Sequence, residues 1–225
     1  MHFWEVNGIR GEGESPPSMA GRVQGGCCLI IAGGSCVWDD IREFYRFFDM
    51  EFDFRSPSQE PPAPVFAVND IGAFFKARVE HLVSIHEEQL FPVLCLRRPN
   101  GCNCSHTTTH TLKPQRVASR PPWYTPADIR WRFTQGVGGT SAMVAGQVAL
   151  AIGYDRVVLA GVPLDGAAHF FYPRWGTLPY FDSDTQSHEW HSMMRHRLQG
   201  RVRSMSGRTA EWLGQPDKEW INGNN

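Results

Sequence analysis

The chain has no apolar stretch of the ~18–20 residues that cross a bilayer, so no membrane-spanning helix is expected. Its first residues, MHFWEVNGIRGEGESPPS, lack a basic start followed by an apolar block. A signal peptide is therefore not expected, and a cytoplasmic setting is the default. Net charge is scarce too, at -1 for 22 basic and 23 acidic side chains, which argues against bulk attraction to nucleic acid or an anionic membrane. Six cysteines in 225 residues are too few for a disulfide framework in a chain this able to bury a core. Cys27, Cys28 and Cys36 flank an apolar run, where thiols act as small apolar groups. The basic clusters Arg97–Arg98 and Arg195–Arg203 read as solvated faces. Neither G-x-G-x-x-G nor the P-loop pattern occurs, and no Lys follows the first glycine loop, so kinase-like ATP hydrolysis is disfavoured.

What is present is a repeating unit: a short apolar run, a polar end, then a helical pattern. Residues 1–26 are rich in Gly, Pro, Ser and charge and read as a flexible N-terminal arm, with Phe3–Trp4 as an anchor. The core then begins with CLIIAGG, a continuous apolar run ending in glycines, as a buried parallel strand does. In SCVWDDIREFYRFF, Ile41, Phe44, Tyr45 and Phe48 recur at helical spacing, with Ser35 or Asp39 as the candidate cap. VFAVND is a second strand, IGAFFKARVE a helix, and HLVSIHEEQL a strand, loop and helix start.

Residues 99–126 break this rhythm and read as a long irregular insertion. After it, Ile129, Trp131 and Phe133 alternate with polar residues, the pattern of a half-buried strand. GGTSAMVAGQVALAIG is the clearest helix, capped by Thr140 or Ser141 and stopped at Gly153. DRVVLAG follows as a buried strand, so helix and strand make a parallel crossover. A helix over 186–198, a strand near RVRSM and a helix in GRTAEWLG complete the tail. The expectation is an α/β, doubly wound, mostly parallel Rossmann-like sheet, a single domain over 27–225 with an insertion near 99–126.

Ligands of such sheets bind outside the carboxyl ends of the strands. That rule selects the loops 33–40, 69–72, 84–88 and 161–169. Gly33 and Gly34 allow a ligand close to the backbone, Ser35 adds a hydroxyl, and the next helix aims free N–H groups at an anion such as a nucleotide phosphate. The alternative is a plain glycine turn. The glycines of QGVGGTS carry the same two readings. His169 is the candidate general base, and Asp165 the acid that orients it, binds a ribose hydroxyl or caps the next element. Against this, a histidine beside Phe170, Phe171 and Tyr172 is commonly a packed core group; His86, His188 and His191 are rivals. Cys102, Cys104, His106 and His110 offer four zinc-type ligands. His-x₃-His is a usual spacing, but Cys-x-Cys is tight, and a polar loop without metal is the competing reading.

The blocks VFAVNDIGAFF, HLVSIHEEQL, TSAMVAGQVALAIGYDRVVLAGVPLDGAAHF and VRSMSGRTAEWLGQPDKEW resemble a family of tailed-phage morphogenetic proteins. That resemblance implies action in the cytoplasm of an infected bacterial host, with phage structural proteins as candidate partners; the charge balance and the lack of a long apolar stretch lead us to expect neither nucleic acid nor membrane. More distantly, LIIAGGSC, VN and TSAMVAGQVALAIGYDRVVLAGVPLD resemble bacterial sialyltransferases and hydroxymethylpterin pyrophosphokinase-like proteins. This second resemblance implies a nucleotide or nucleotide-sugar donor held by Gly33, Gly34, Ser35, Asn69, Thr140, Ser141 and Asp165. It also implies a metal-independent glycosyl transfer. The chain departs from that pattern with Ser-Cys in the first loop, Ala142 after Thr-Ser, and Gly-Val-Pro-Leu-Asp in the last loop. Both a transferase-like enzyme and a non-catalytic phage accessory protein on the same fold are compatible with these residues.

Overall fold

The computed structural model describes residues 2–54, 56–97, 107–112, 125–134, 140–165, 169–170, 190, 198 and 200–223. A hairpin, β1 (Phe3–Val6) and β2 (Ile9–Glu12), precedes the central strand β3 (Cys27–Ile31) and helix α1 (Val37–Arg46). Then come β4 (Val65–Val68), α2 (Ile71–Phe74), β5 (His81–Val83), α3 (Glu87–Arg97), β6 (Thr108–Leu112) and β7 (Ile129–Trp131). Helix α4 (Ser141–Ile152), β8 (Arg156–Ala160), β9 (Val202–Ser204), α5 (Gly207–Leu213) and α6 (Lys218–Asn222) follow.

Seven strands form one sheet in the order β7-β6-β5-β4-β3-β8-β9, and every pairing in it is parallel. The fold is thus the expected α/β, Rossmann-like one. Strand β3 is wholly apolar from Cys28 to Ile31 because both its faces are covered. Leu29 and Ile31 face the layer built around Ile41, Phe44 and Tyr45 of α1. Cys28 and Ile30 face α4. Every residue of α4 is buried, and its Ala- and Gly-rich body lets it lie close against β3, β4, β5 and β8. Thr140 caps it by accepting the Met143 N–H, and Gly153 ends it.

Several expectations are corrected. Residues 3–12 of the expected arm are a hairpin whose Trp4 and Ile9 are buried. Its turn is Asn7–Gly8, both at positive φ (51° and 76°), the backbone of a tight two-residue hairpin loop. Downstream, the amides of Gly21, Val23 and Gly25 donate to the carbonyls of Ala151, Ile152 and Gly153. These are the carbonyls that the end of α4 leaves without intrahelical partners, so this stretch of the arm finishes the helix. The insertion region contains β6, an interior strand between β5 and β7; residues 98–106 and 113–124 lie outside the described residues. Helix α2 is a single turn. Neither Ser35 nor Asp39 caps α1; Cys36 occupies that position without a side-chain cap bond. Arg97 is wholly buried rather than solvated, and it donates to the carbonyls of Gly72, Phe75 and Ala77 around α2. The expected helix over 186–198 falls largely outside the described residues. No helix among the described residues is long and apolar enough to cross a membrane.

Candidate functional site

The strand order reverses between β3 and β8: from β3 the chain winds outward through β4 to β7, then returns to β8 on the other side. In open α/β sheets the carboxyl ends of the strands at such a reversal are the place where ligands bind. The loops after β3 and β8 touch through backbone. The Gly34 N–H donates to the Gly161 carbonyl at 2.9 Å, and the Ala32 N–H to the Ala160 carbonyl at 2.9 Å. A Cβ on Gly34 would sit 2.6 Å from Pro163 Cδ, and one on Gly161, at φ 70°, would sit 2.4 Å from the Ala32 oxygen. Gly34 is thus fixed by loop packing, and its amide is committed to Gly161. Ser35 is exposed, and its N–H finds no acceptor among the described residues, whereas the Cys36 N–H interacts with its own thiol. The Ser35 amide is an open donor at the start of α1.

Asn69 stands at the carboxyl end of β4, next along the sheet. Its φ is 55°, its N–H donates to Val83, and its Oδ1 is buried with no hydrogen-bond partner among the described residues. Thr140 and Ser141 lie at the start of α4 on the opposite face. Thr140 Oγ1 accepts from the Trp190 indole N–H at 3.2 Å, and Ser141 Oγ from the Ile85 N–H at 3.2 Å. Both hydroxyls therefore brace α4 against its neighbours.

His169 and Phe170 cross over the end of β3. His169 bridges Gly34, and the Phe170 N–H donates to the Gly33 carbonyl at 2.9 Å. Burial holds the His169 pKa below its ordinary value; the bond from its ring to the Gly33 carbonyl and the charge of Asp70 pull the other way. The imidazole is neutral at pH 7, the state that accepts a proton. A carboxylate charge reaches it from Asp70, in the loop that the sequence singles out for Asn69. Asp165 is exposed after β8.

A second polar cluster lies beneath the loops. Asp40 Oδ2 accepts from the Gly161 N–H at 2.8 Å, from Ser206 Oγ at 2.8 Å and from Cys36 Sγ at 3.3 Å. Burial raises the Asp40 pKa, against the hydrogen bonds that favour its charge, and pushes the Cys36 thiol up to about 12. Cys36 is therefore a protonated structural donor, not a thiolate nucleophile. Sequence reasoning missed Asp40, yet the signal was there. Asp40 shares the buried helical phase of Val37, Ile41, Phe44 and Tyr45, whereas its neighbour Asp39 is 83% exposed and pairs with Arg42.

Comparisons with family models, with curated proteins and with solved structures find no match to this chain.

Of the four zinc-type residues, Cys102, Cys104 and His106 lie outside the described residues. His110 is buried in β6 with both ring nitrogens engaged, one by the Trp131 indole at 3.0 Å and one by His81 at 2.9 Å. It is a member of the sheet core, and no lone pair is left for a metal. Among the described residues no group of three metal-type ligands comes together.

Proposed function

We propose that the protein binds a nucleotide at the switch point between β3 and β8 and acts as a transferase-like enzyme on a nucleotide-activated sugar. One juxtaposition carries the reading. The open amide of Ser35, the Asn69 Oδ1 that has no partner among the described residues, and the neutral His169 all sit on the loops that leave the carboxyl ends of β3, β4 and β8. The start of α1 receives phosphate, where N–H donors stabilise negative charge without a metal. Asn69 Oδ1 accepts from a hydroxyl or exocyclic amine of the ligand. His169 takes the proton of an acceptor hydroxyl as its oxygen bonds the sugar carbon; the bond from that carbon to the phosphate oxygen breaks, and the nucleotide leaves with the electron pair. The resemblance to phage proteins sets this activity in an infected bacterial cytoplasm.

A second reading is favoured by three committed groups. The Gly34 N–H, Thr140 Oγ1 and Ser141 Oγ, all implied as ligand contacts by the transferase resemblance, are bonded within the protein. Such spending of contacts fits a phage morphogenesis or accessory protein that keeps the fold without the reaction.

The two are separated by calorimetry with CMP-, UDP- and GDP-sugars, followed by turnover assays of the wild type and His169→Ala. Binding in the micromolar-to-millimolar range typical of substrates, with turnover lost in the variant, supports the enzyme. Absence of any binding, with normal phage production by His169→Ala, supports the accessory role.

A further inference from the structure

Asp40 is a buried carboxyl, 7% exposed, that forms no ion pair among the described residues. Its Oδ2 accepts the Gly161 N–H at 2.8 Å, the Ser206 hydroxyl at 2.8 Å and the Cys36 thiol at 3.3 Å. These donors come from the loop after β8, the turn after β9 and the residue before α1, and all three are neutral. Oδ1 accepts none of them. It is also not one of the sealed oxygens that lack a partner, so it keeps a contact with solvent. One oxygen is saturated by the protein, and the other is where a proton can enter. Buried carboxylates ordinarily pair with a cation; here hydrogen bonds alone hold the charge.

The titratable groups on the surrounding elements do not replace that cation. On α1, Asp39 opposes a negative charge at Asp40, and burial keeps the Cys36 thiol protonated. Over the end of β3, His169 bridges Gly34 and is neutral at pH 7. On α5, Arg208 donates its backbone N–H to the Pro163 carbonyl and forms no ion pair with Asp40.

Burial raises the Asp40 pKa, while each of the three hydrogen bonds lowers it. A bond that favours the charged form is, by reciprocity, weakened when the proton binds. Charge-assisted bonds are roughly twice as strong as neutral ones, so all three weaken in one step. The cost of burying the charge disappears in the same step. With the folded pKa above the unfolded one, protonation of Asp40 does not itself favour unfolding. What it removes is local: the tie between strand ends.

We infer that Asp40 is a proton-operated latch. Ionised, it clamps the loop after β8 and the turn after β9 onto the start of α1; a proton taken up at Oδ1 slackens all three ties while the sheet stays folded. The Gly161 carbonyl accepts the Gly34 N–H at 2.9 Å, so the slack reaches the loop that carries Ser35. The latch goes beyond the nucleotide reading and stands on the fold alone, so failure of nucleotide binding leaves it intact.

The test is NMR of the full chain between pH 7 and 4.5, following the Asp40 carboxyl carbon, the Gly161 amide and its hydrogen exchange corrected for the intrinsic rate. Expected is one shared midpoint for the Asp40 carboxyl and the Gly161 amide, above the ordinary carboxylate range. Across it, Gly161 loses about tenfold more protection than Val157, whose N–H is bonded to the Arg201 carbonyl at 2.9 Å and reports the sheet itself. Asp40→Asn abolishes the Gly161 titration. Ser206→Ala removes one bond that favours the charge and moves the midpoint to higher pH; this variant decides the matter should Asp40→Asn not fold. A Gly161 amide that does not titrate, that titrates equally in Asp40→Asn, or whose midpoint is unmoved in Ser206→Ala overturns the latch. So does equal loss of protection at Gly161 and Val157, which reports opening of the whole sheet.

Discussion

Asp40 Oδ2 accepts the Gly161 N–H at 2.8 Å, joining α1 to the loop after β8 across the point where the sheet reverses direction. The same oxygen takes the Ser206 hydroxyl from the turn after β9. Gly161 in turn accepts the Gly34 N–H, so one buried carboxylate fixes three strand ends relative to one another.

Asp40→Ala leaves the Gly161 N–H and two side-chain donors without their acceptor in a buried setting. The expected cost is roughly 2–4 kcal/mol in urea unfolding. Asp40→Asn keeps an oxygen acceptor and is expected to lose less. Equal stability of Asp40→Ala and wild type would show that this carboxylate does not hold the loops.

The buried histidines give the protein an acid-sensitive sheet. The Trp131 indole can only donate, so His110 Nδ1 accepts; the neutral ring then carries its proton on Nε2 and donates to His81 Nδ1. His81 also stacks on Phe66 at 4.2 Å. Burial lowers the His81 pKa to about 4 and places that of His110 well below its ordinary value. The unfolded chain, with histidines near 6.5, binds more protons than the folded one between these values. Stability is therefore full above about pH 6.5 and falls as pH drops toward 4, by on the order of 3 kcal/mol from His81 with a further loss from His110. Urea unfolding at pH 7.5, 5.5 and 4.5 reads this directly. A flat profile would mean that the pair is already solvated or charged.

Gly11→Ala tests whether the N-terminal hairpin is part of the core. A Cβ there falls within 1.9 Å of Trp4 Cζ2 and 2.6 Å of the Arg132 carbonyl oxygen. Trp4 packs edge-on against Trp131 and Phe133 at 6.2 Å. Accommodating the methyl means displacing that indole, at an expected cost of about 1–3 kcal/mol and a lower melting temperature. An unchanged melt would return residues 1–26 to the status of an accessory arm.

The parallel sheet was legible because its central strands are continuous apolar runs bounded by Gly, Asn and Asp. LIIAGG and VVLAG carry that pattern without competition from any helical period. The α4 boundaries were legible for the same reason: Thr140 and Gly153 are chemically suited to a start and a stop. The hairpin was obscured by the Gly- and Pro-rich residues after it, although Asn7–Gly8 between Trp4, Val6 and Ile9 is a recognised turn signal. Strand β6 was illegible because THT is polar in sequence. Its Thr109 is satisfied by Asp128, and its His110 by His81 and Trp131, partners distant along the chain. Periodicity cannot register a polar strand that is buried through long-range hydrogen bonds.

At the site, the sequence could select the loops at the carboxyl ends of the strands because the switch-point rule depends only on topology. It could not tell which groups the folded protein uses itself. Gly34, Thr140 and Ser141 look free in the sequence and are bonded in the fold. Asp40 and Asp70 look like ordinary surface acids, yet one anchors the loops and the charge of the other acts on His169.

The most direct test of the central claim is a backbone-amide NMR titration of the full chain with a nucleotide monophosphate. The expected result is saturable shifts concentrated at Ser35, Cys36, Asn69 and Phe170, with the amino ends of the strands around Gly26 and Val202 unmoved. Shifts confined to those amino ends, or none at millimolar nucleotide, would contradict a nucleotide site at the β3–β8 switch point.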